Sequence, residues 1–214
     1  MLGQIELYFQ TSADEFWLCL QQHVEISILS LIVAVAIGIP AGYACTRSKS
    51  HERVIQGFFQ ALRVVPSLAV LILLIPIMGT GVKPAMVALT LLAIPPILMN
   101  TVTGFKEVPV SMIEAGRGMG MTEKQILWKV RFPLAMPLIM TGVKTAMIEI
   151  IASATIATKI GAGGLGDIIV TGLGLNRTDL LLIGGISVAL LSITASLLFN
   201  LLDRVLMRYK FVRT

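Results

Sequence analysis

ISILSLIVAVAIGIPAGYACT, residues 26–46, contains no charged side chain. A hydrocarbon core about 30 Å thick needs roughly 20 apolar helical residues to cross it, and this stretch supplies them. Similar charge-free runs occupy 64–82, 84–105 and 180–202, while 132–158 is apolar apart from Lys144 and Glu149. The pattern predicts five membrane-spanning helices, over 24–45, 57–79, 84–104, 134–157 and 180–202. None of these runs has the short alternating pattern of barrel strands. The expected fold is an all-α membrane protein.

The rest of the chain agrees. Of its 214 residues 56% are hydrophobic and 14% charged, and the mean hydropathy is +0.87. Soluble domains carry roughly 25% charged residues. A net charge of +5 would suggest nucleic acid in a soluble protein, but in a membrane protein the placement of charge matters more than its sum. Residues 1–25 hold Glu6, Asp14, Glu15 and Glu25 and no lysine or arginine. Arg47, Lys49 and Arg53 lie in the first loop, and Lys106, Arg117, Lys124, Lys129 and Arg131 in 106–131. The tail adds Arg204, Arg208, Lys210 and Arg213, against Lys83, Lys159 and Arg177 at the other side. The positive-inside rule then predicts an external N-terminus and a cytoplasmic C-terminus. The expected organisation is an external segment (1–23), a transmembrane domain (24–204) with a cytoplasmic segment at 106–133, and a cytoplasmic tail (205–214). No basic n-region or small-residue cleavage site precedes the first apolar run, so no removable signal peptide is expected. Cys19 is expected outside and Cys45 at the inner end of the first span; both are read as structural, with no disulfide.

IGAGGLGD, residues 160–167, satisfies G-x-G-x-x-G through Gly161, Gly163 and Gly166. That fingerprint holds a dinucleotide only between a strand and a helix, with an acid about 20 residues on. Here a membrane span precedes it, and Asp167 and Asp179 stand at the wrong distance. Gly161, Gly163 and Gly164 instead suit a tight turn or a closely packed re-entrant segment beside a pathway. A plain surface turn is the other reading.

The longest segment on the basic side reads KEVPVSMIEAGRGMGMTEKQILWKVRFPLAMPLI, residues 106–139. Ser111 with Glu114 three residues on is a capping-box pattern, expected to start a short helix behind Pro109. Met112, Ile113 and Met119 give that helix an apolar stripe. Thr122 is expected to cap a second helix through Gln125, Ile126, Trp128 and Lys129, ending at Pro133. Gly116, Gly118 and Gly120 leave backbone open to close approach. A short amphipathic helix across the inner face suits docking into a groove on a partner.

This segment resembles the E-A-A motif of permease subunits of bacterial ABC importers, in which E-A-A is followed by three residues, a glycine, nine residues and I-x-L-P. The chain has Glu114-Ala115-Gly116, then Gly120, then Val130-Arg131-Phe132-Pro133. Gly116, Val130 and Phe132 depart from the pattern by small or apolar replacements. VPSLAVLILLIPIMGTG, PPILMNTVTG and IGAGGLGDIIVTGLGLN are similar to the osmoprotectant-uptake branch. The resemblance implies the five-helix permease fold of the methionine-importer type, with a cytoplasmic coupling helix, in the bacterial cell membrane. It implies that Glu114, Ala115, Gly116 and Gly120 dock on a cytoplasmic ABC ATPase, with Pro133 ending the connector. It further implies a second permease subunit, identical or paralogous, and an external substrate-binding protein. The implied cargo is a compatible solute such as glycine betaine, carnitine or choline. Methionine or another small amino compound is the alternative, because methionine-type permeases share the five-span plan and a similar glycine loop.

Quaternary ammonium groups are usually held by aromatic faces. Aromatic residues make up only 6% of the chain, and Trp17 and Trp128 lie outside the expected spans. Selection is therefore assigned to the external binding protein and a gated route to this subunit. Ionisable residues within spans are costly and often functional, which singles out Arg63, Lys144 and Glu149. Lys144 and Glu149 are about 140° apart around a helix. An inter-helix Arg63–Glu149 pair is one reading; snorkelling of Arg63 and Lys144 at the cytoplasmic end is the other. Pro66, Pro76, Pro95 and Pro96 are expected to kink spans two and three, in a gate or in a passive scaffold. The pathway candidates are Arg63, Pro66, Ser67, Glu149, Gly161, Gly163 and Gly164. The sequence has no HExxH and no Gx₄GK[ST] motif, which argues against a membrane enzyme. The chain is expected to bind no cofactor, metal or nucleic acid, ATP and magnesium being held by the partner ATPase. A stand-alone secondary transporter or channel has no need of the docking helix.

Overall fold

The computed structural model describes residues 2–47, 57–59 and 64–206. Among them all regular structure is helical. Helices α1 (Leu2–Thr11) and α2 (Ala13–Cys45) are followed by α3 (Ser67–Met78) and α4 (Val82–Lys106). Helices α5 (Val110–Gly118) and α6 (Glu123–Ile126) lead through a π-helical turn, Leu127–Arg131, into α7 (Phe132–Ala157). A 3-10 turn, Thr158–Ile160, precedes α8 (Leu165–Gly174) and α9 (Thr178–Leu206).

Four stretches are long and apolar enough to cross a membrane: Ala13–Cys45, Val82–Lys106, Glu123–Ile160 and Thr178–Val205. They contain the first, third, fourth and fifth expected spans. Of the span expected at 57–79, the described helical parts are Gly57–Phe59 and α3, and Arg63 lies outside the described residues. With 12 residues, α3 is about 18 Å long and does not cross the core alone. Pro66 stands at its start in an extended conformation, φ −58° and ψ 135°. Proline also pushes the residue before it out of the helical region. Pro66 thus sets where α3 begins and does not kink its interior, whereas Pro76, Pro95 and Pro96 do lie inside helices.

Burial places α4 at the centre. Of its apolar window 67% is buried, against 28% in α2 and 22% in α9. In lipid, apolar burial gives helices no reason to associate, so close packing of small residues must do so. Gly38 and Gly42 of α2 meet α4, where an added Cβ would come within 2.9 Å of Ile97 Cγ2 and 2.7 Å of Thr101 Cβ. On the other flank, a Cβ at Gly142 of α7 would lie 2.7 Å from Asn100 Cβ. The polar side chains at these crossings bond within their own helix: Asn100 Nδ2 donates to Pro96 O at 2.8 Å and Thr101 Oγ1 to Ile97 O at 2.7 Å. The exposed row Leu190, Ile193 and Leu197 of α9 suits contact with lipid tails.

The expected external segment is itself helical. Tyr8 and Phe16 join Leu165, Ile168, Leu180 and Ile183 in a cluster that ties α1 and α2 to α8 and α9. Cys19 and Cys45 are both buried, at opposite ends of α2, and do not meet.

The connector expected to end at Pro133 does not end there: α6, the π turn and α7 form one unbroken helical run. Proline has no N–H and its ring crowds the carbonyl four residues back. The π turn lies just before it, with Phe132 N–H reaching back five residues to Leu127 O. That single wide turn absorbs the proline without stopping the helix.

Candidate functional site

The segment after α4 is built from three local devices. Pro109 occupies the N-cap position of α5, with φ −60° and ψ 133°, and no side chain caps that end. Ser111 is the second helical residue, past the place from which a side chain can cap, so the expected Ser111–Glu114 box does not form. The end of α5 is a Schellman closure: Met121 N–H donates to Gly116 O at 3.0 Å and Gly120 N–H to Arg117 O at 2.9 Å. Gly120 is the left-handed residue that closure needs, at φ 75°. The expected cap on the next helix is present, since Gln125 N–H donates to Thr122 Oγ1 at 3.3 Å and Thr122 N–H to Gln125 Oε1 at 2.8 Å. Arg117 Nε and Glu123 Oε1, 2.9 Å apart, bridge the two helices at the surface.

These devices fix which residues face outward. Gly116 is buried, and a Cβ there would meet Ile126 Cγ1 at 3.3 Å. Ile126 is itself fully buried. Ile113 turns to the core, so it leaves the stripe expected for it. Met112, Ala115 and Met119 are exposed at spacings of three and four, one helical face, with Glu114 and Gly120 exposed beside them. Pro133, the last residue of the motif, lies behind the π turn and away from this face in sequence.

A second feature lies among α3, α4 and α7. An open cavity of about 370 Å³ is lined by Val65, Pro66, Ser67, Leu92, Glu149 and Ser153, among others. It brings together three of the pathway candidates, Pro66, Ser67 and Glu149. Lys144 faces elsewhere: its Nζ donates to Asn200 Oδ1 of α9 at 2.8 Å, as the angle between positions 144 and 149 requires.

The glycine loop forms a third, separate feature. Gly161, Gly163 and Gly164 have φ of 82°, 77° and 91°. Gly164 N–H donates to Gln22 Oε1 at 3.1 Å, and a Cβ on Gly164 would lie 3.0 Å from His23 Nδ1. Thr158 Oγ1 donates to Gly163 O at 2.9 Å, and Gly81 N–H to Ile160 O at 2.6 Å. The loop is therefore a packed segment and no plain surface turn. Sequence reasoning missed its partner on α2, where His23, Ser27 and Ser30 are buried at positions i, i+4 and i+7. His23 Nε2 lies 3.1 Å from Ile151 O, while His23 Nδ1, Ser27 Oγ and Ser30 Oγ have no hydrogen-bond partner among the described residues. Polar residues at helical spacing within an apolar run were the available signal.

An outward helical face on α5, a cavity among α3, α4 and α7 and a packed glycine loop are thus three separate features of the helical bundle. Residues 34–208 match the model of the family described as binding-protein-dependent transport system inner membrane component. The carnitine transport permease protein OpuCB of Listeria monocytogenes is 40% identical over 202 residues, covering 94% of this chain and 93% of that protein. The glycine betaine/carnitine/choline transport system permease protein OpuCB of Bacillus subtilis is 36% identical, covering 95% and 94%. Among solved structures, an inward-facing form of the MetNI methionine ABC transporter superposes with a TM-score of 0.81 at 23% identity, covering 89% of this chain and 95% of that one. This last likeness speaks for the fold. The chain belongs to the family of binding-protein-dependent transport system inner membrane components.

Proposed function

We propose that this chain lines the route of an ATP-driven importer for a compatible solute, a quaternary amine such as glycine betaine, carnitine or choline. The observation that carries the proposal is the outward stripe Met112–Ala115–Met119 with Glu114, on a helix that starts at Pro109 and ends in the Schellman closure at Gly120. A rigid, partly apolar helical face is what a groove on a cytoplasmic ABC ATPase requires. ATP and magnesium belong to that partner, and solute is delivered by an external binding protein. A second permease subunit, identical or paralogous, completes the route. The N-terminus lies outside and the C-terminus in the cytoplasm, in keeping with the basic residues clustered at the α5 end. In this reading Glu114, Ala115 and Gly120 dock, while Gly116 acts indirectly by seating α5 on Ile126.

The cavity at Pro66, Ser67 and Glu149 is the proposed station within the membrane. A carboxylate at its wall lowers the penalty on a cationic group passing through an apolar interior. The substrate class rests on the names of the relatives that are 36% and 40% identical over nearly the whole chain.

The test is reconstitution in liposomes with the partner ATPase and the external binding protein. Carnitine, glycine betaine or choline should stimulate ATP hydrolysis and accumulate inside right-side-out vesicles that hold ATP, with the binding protein outside. Stimulation by methionine alone would overturn the substrate assignment, and uptake by the chain without an ATPase would overturn the importer reading.

A further inference from the structure

Where α2, α4 and the π turn converge, the structure holds a small cavity of about 220 Å³ whose lining is wholly apolar. Ile39, Pro40 and Tyr43 of α2 form one wall, Phe105 of α4 the floor, and Trp128 and Phe132 the other wall. The rings are in contact: Tyr43 and Phe105 have centroids 5.0 Å apart, and Trp128 and Phe132 5.3 Å. This lies at the bundle end that carries α5, beside the last turns of α2 and α4.

Two guanidinium groups flank this aromatic pocket. Arg47 Cζ sits 5.1 Å from the Tyr43 ring centroid and its Nη2 donates to Tyr43 Oη at 3.2 Å. Arg131 Cζ sits 5.7 Å from the Phe105 ring. Arg131 Nε is buried with no hydrogen-bond partner among the described residues, a donor left unused at the pocket. Lys129, one turn position away, is exposed. Trp128 is 59% exposed, and a tryptophan half in and half out suits the membrane–water boundary.

An apolar pocket flanked by two guanidinium groups fits an amphiphile with an anionic head. A quaternary ammonium solute fits it poorly: two of its four rings, Tyr43 and Phe105, are already met by arginine, and no carboxylate is among the lining residues. We infer that this pocket binds an anionic phospholipid, with an acyl chain against Tyr43, Phe105, Trp128 and Phe132 and the headgroup phosphate on Arg47 and Arg131. Basic pockets between helices at a membrane face take such headgroups, and arginine recognises phosphate through its fork of donors. The site spans the π turn, so an occupying lipid braces the joint between the docking segment and α7. The inference needs only that this bundle end lies at a membrane surface; it does not depend on which solute is carried.

The test is native mass spectrometry of the assembled transporter after stepwise delipidation in detergent, with phosphatidylglycerol or phosphatidylcholine of identical acyl chains added back. Phosphatidylglycerol should be retained on this chain and phosphatidylcholine lost. Arg131→Gln and Arg47→Gln should each weaken retention about fivefold, the worth of one basic residue at an anionic surface, and Arg131→Lys should keep most of it. Lys124→Gln, a loss of charge away from the pocket, should leave retention unchanged. Glycerol 3-phosphate, which has the head and no chain, should not displace the lipid. Equal retention of the two lipids, equal loss in the Lys124 variant, or displacement by glycerol 3-phosphate would overturn the proposal. Transport activity is not the readout, so failure here and failure of the importer reading remain distinct.

Discussion

Gly116 of α5 lies against Ile126 of α6, so close that a Cβ would stand 3.3 Å from the isoleucine Cγ1. That contact turns one side of α5 inward and leaves Ala115, its immediate neighbour, pointing out. Two adjacent residues of one motif therefore have different jobs. Gly116→Val should loosen α5 from α6 and lower the thermal unfolding midpoint. Ala115→Trp, on the exposed side, should leave that midpoint unchanged and abolish stimulation of ATP hydrolysis by the assembled complex. Equal destabilisation by the two variants would contradict this division.

Gly120 is glycine for a backbone reason. Its φ of 75° costs other L-residues about 1–2 kcal/mol, and the Schellman closure depends on it. Gly120→Ala should lower stability by about that amount and Gly120→Asn by less, because asparagine tolerates the left-handed region. Gly118, with open space around its Cα and an ordinary helical place, should accept alanine without loss. Limited proteolysis at 116–122 is the direct measure.

Four of the expected spans were legible because long apolar runs, three of them built on charge-free stretches, admit one structure in a bilayer. The second was less so: Pro66 delays α3 to Ser67, and no periodicity announces where a proline will start a helix and where it will bend one. The connector was misread at Pro133 for a similar reason, because a π turn has no signature in residue type. Within residues 106–133 the Thr122 cap was readable and the Ser111 box was not, since Pro109 takes the N-cap place and starts the helix two positions too early for Ser111 to cap. Ile113 falls on the inner face because it packs against the core cluster of the long helices, far away in sequence. The buried row His23, Ser27 and Ser30 was visible as spacing, but that the glycine loop packs on its first member was not.

The loop should be opened from α2. Gln22→Ala removes the acceptor of Gly164 N–H, a loss of about 0.5–1.5 kcal/mol, with little effect on the fold. Cys19, one helical turn before Gln22 and only 7% exposed, should then react faster with a membrane-impermeant maleimide. Unchanged Cys19 labelling would show that the bond does not hold the loop down.

Close approach of α2 to α4 should tolerate no side chain at Gly42. A Cβ there would lie 2.7 Å from Thr101 Cβ and 2.9 Å from Leu98 O, and backbone cannot yield as a flexible side chain can. Gly42→Val should prevent accumulation of folded protein in the membrane. Gly185→Val, in α9 with open space around it, should accumulate normally. Similar yields of both variants would remove the packing account of the core.

The central claim is that the Met112–Ala115–Met119 face engages the ATPase. Cysteine placed at 115, in a chain whose Cys19 and Cys45 are changed to serine, should crosslink to the ATPase subunit with a short bifunctional maleimide, and with yield that changes when ATP is bound. Failure at position 115, together with efficient crosslinking of the same ATPase from position 177 at the opposite end of the bundle, would contradict the account.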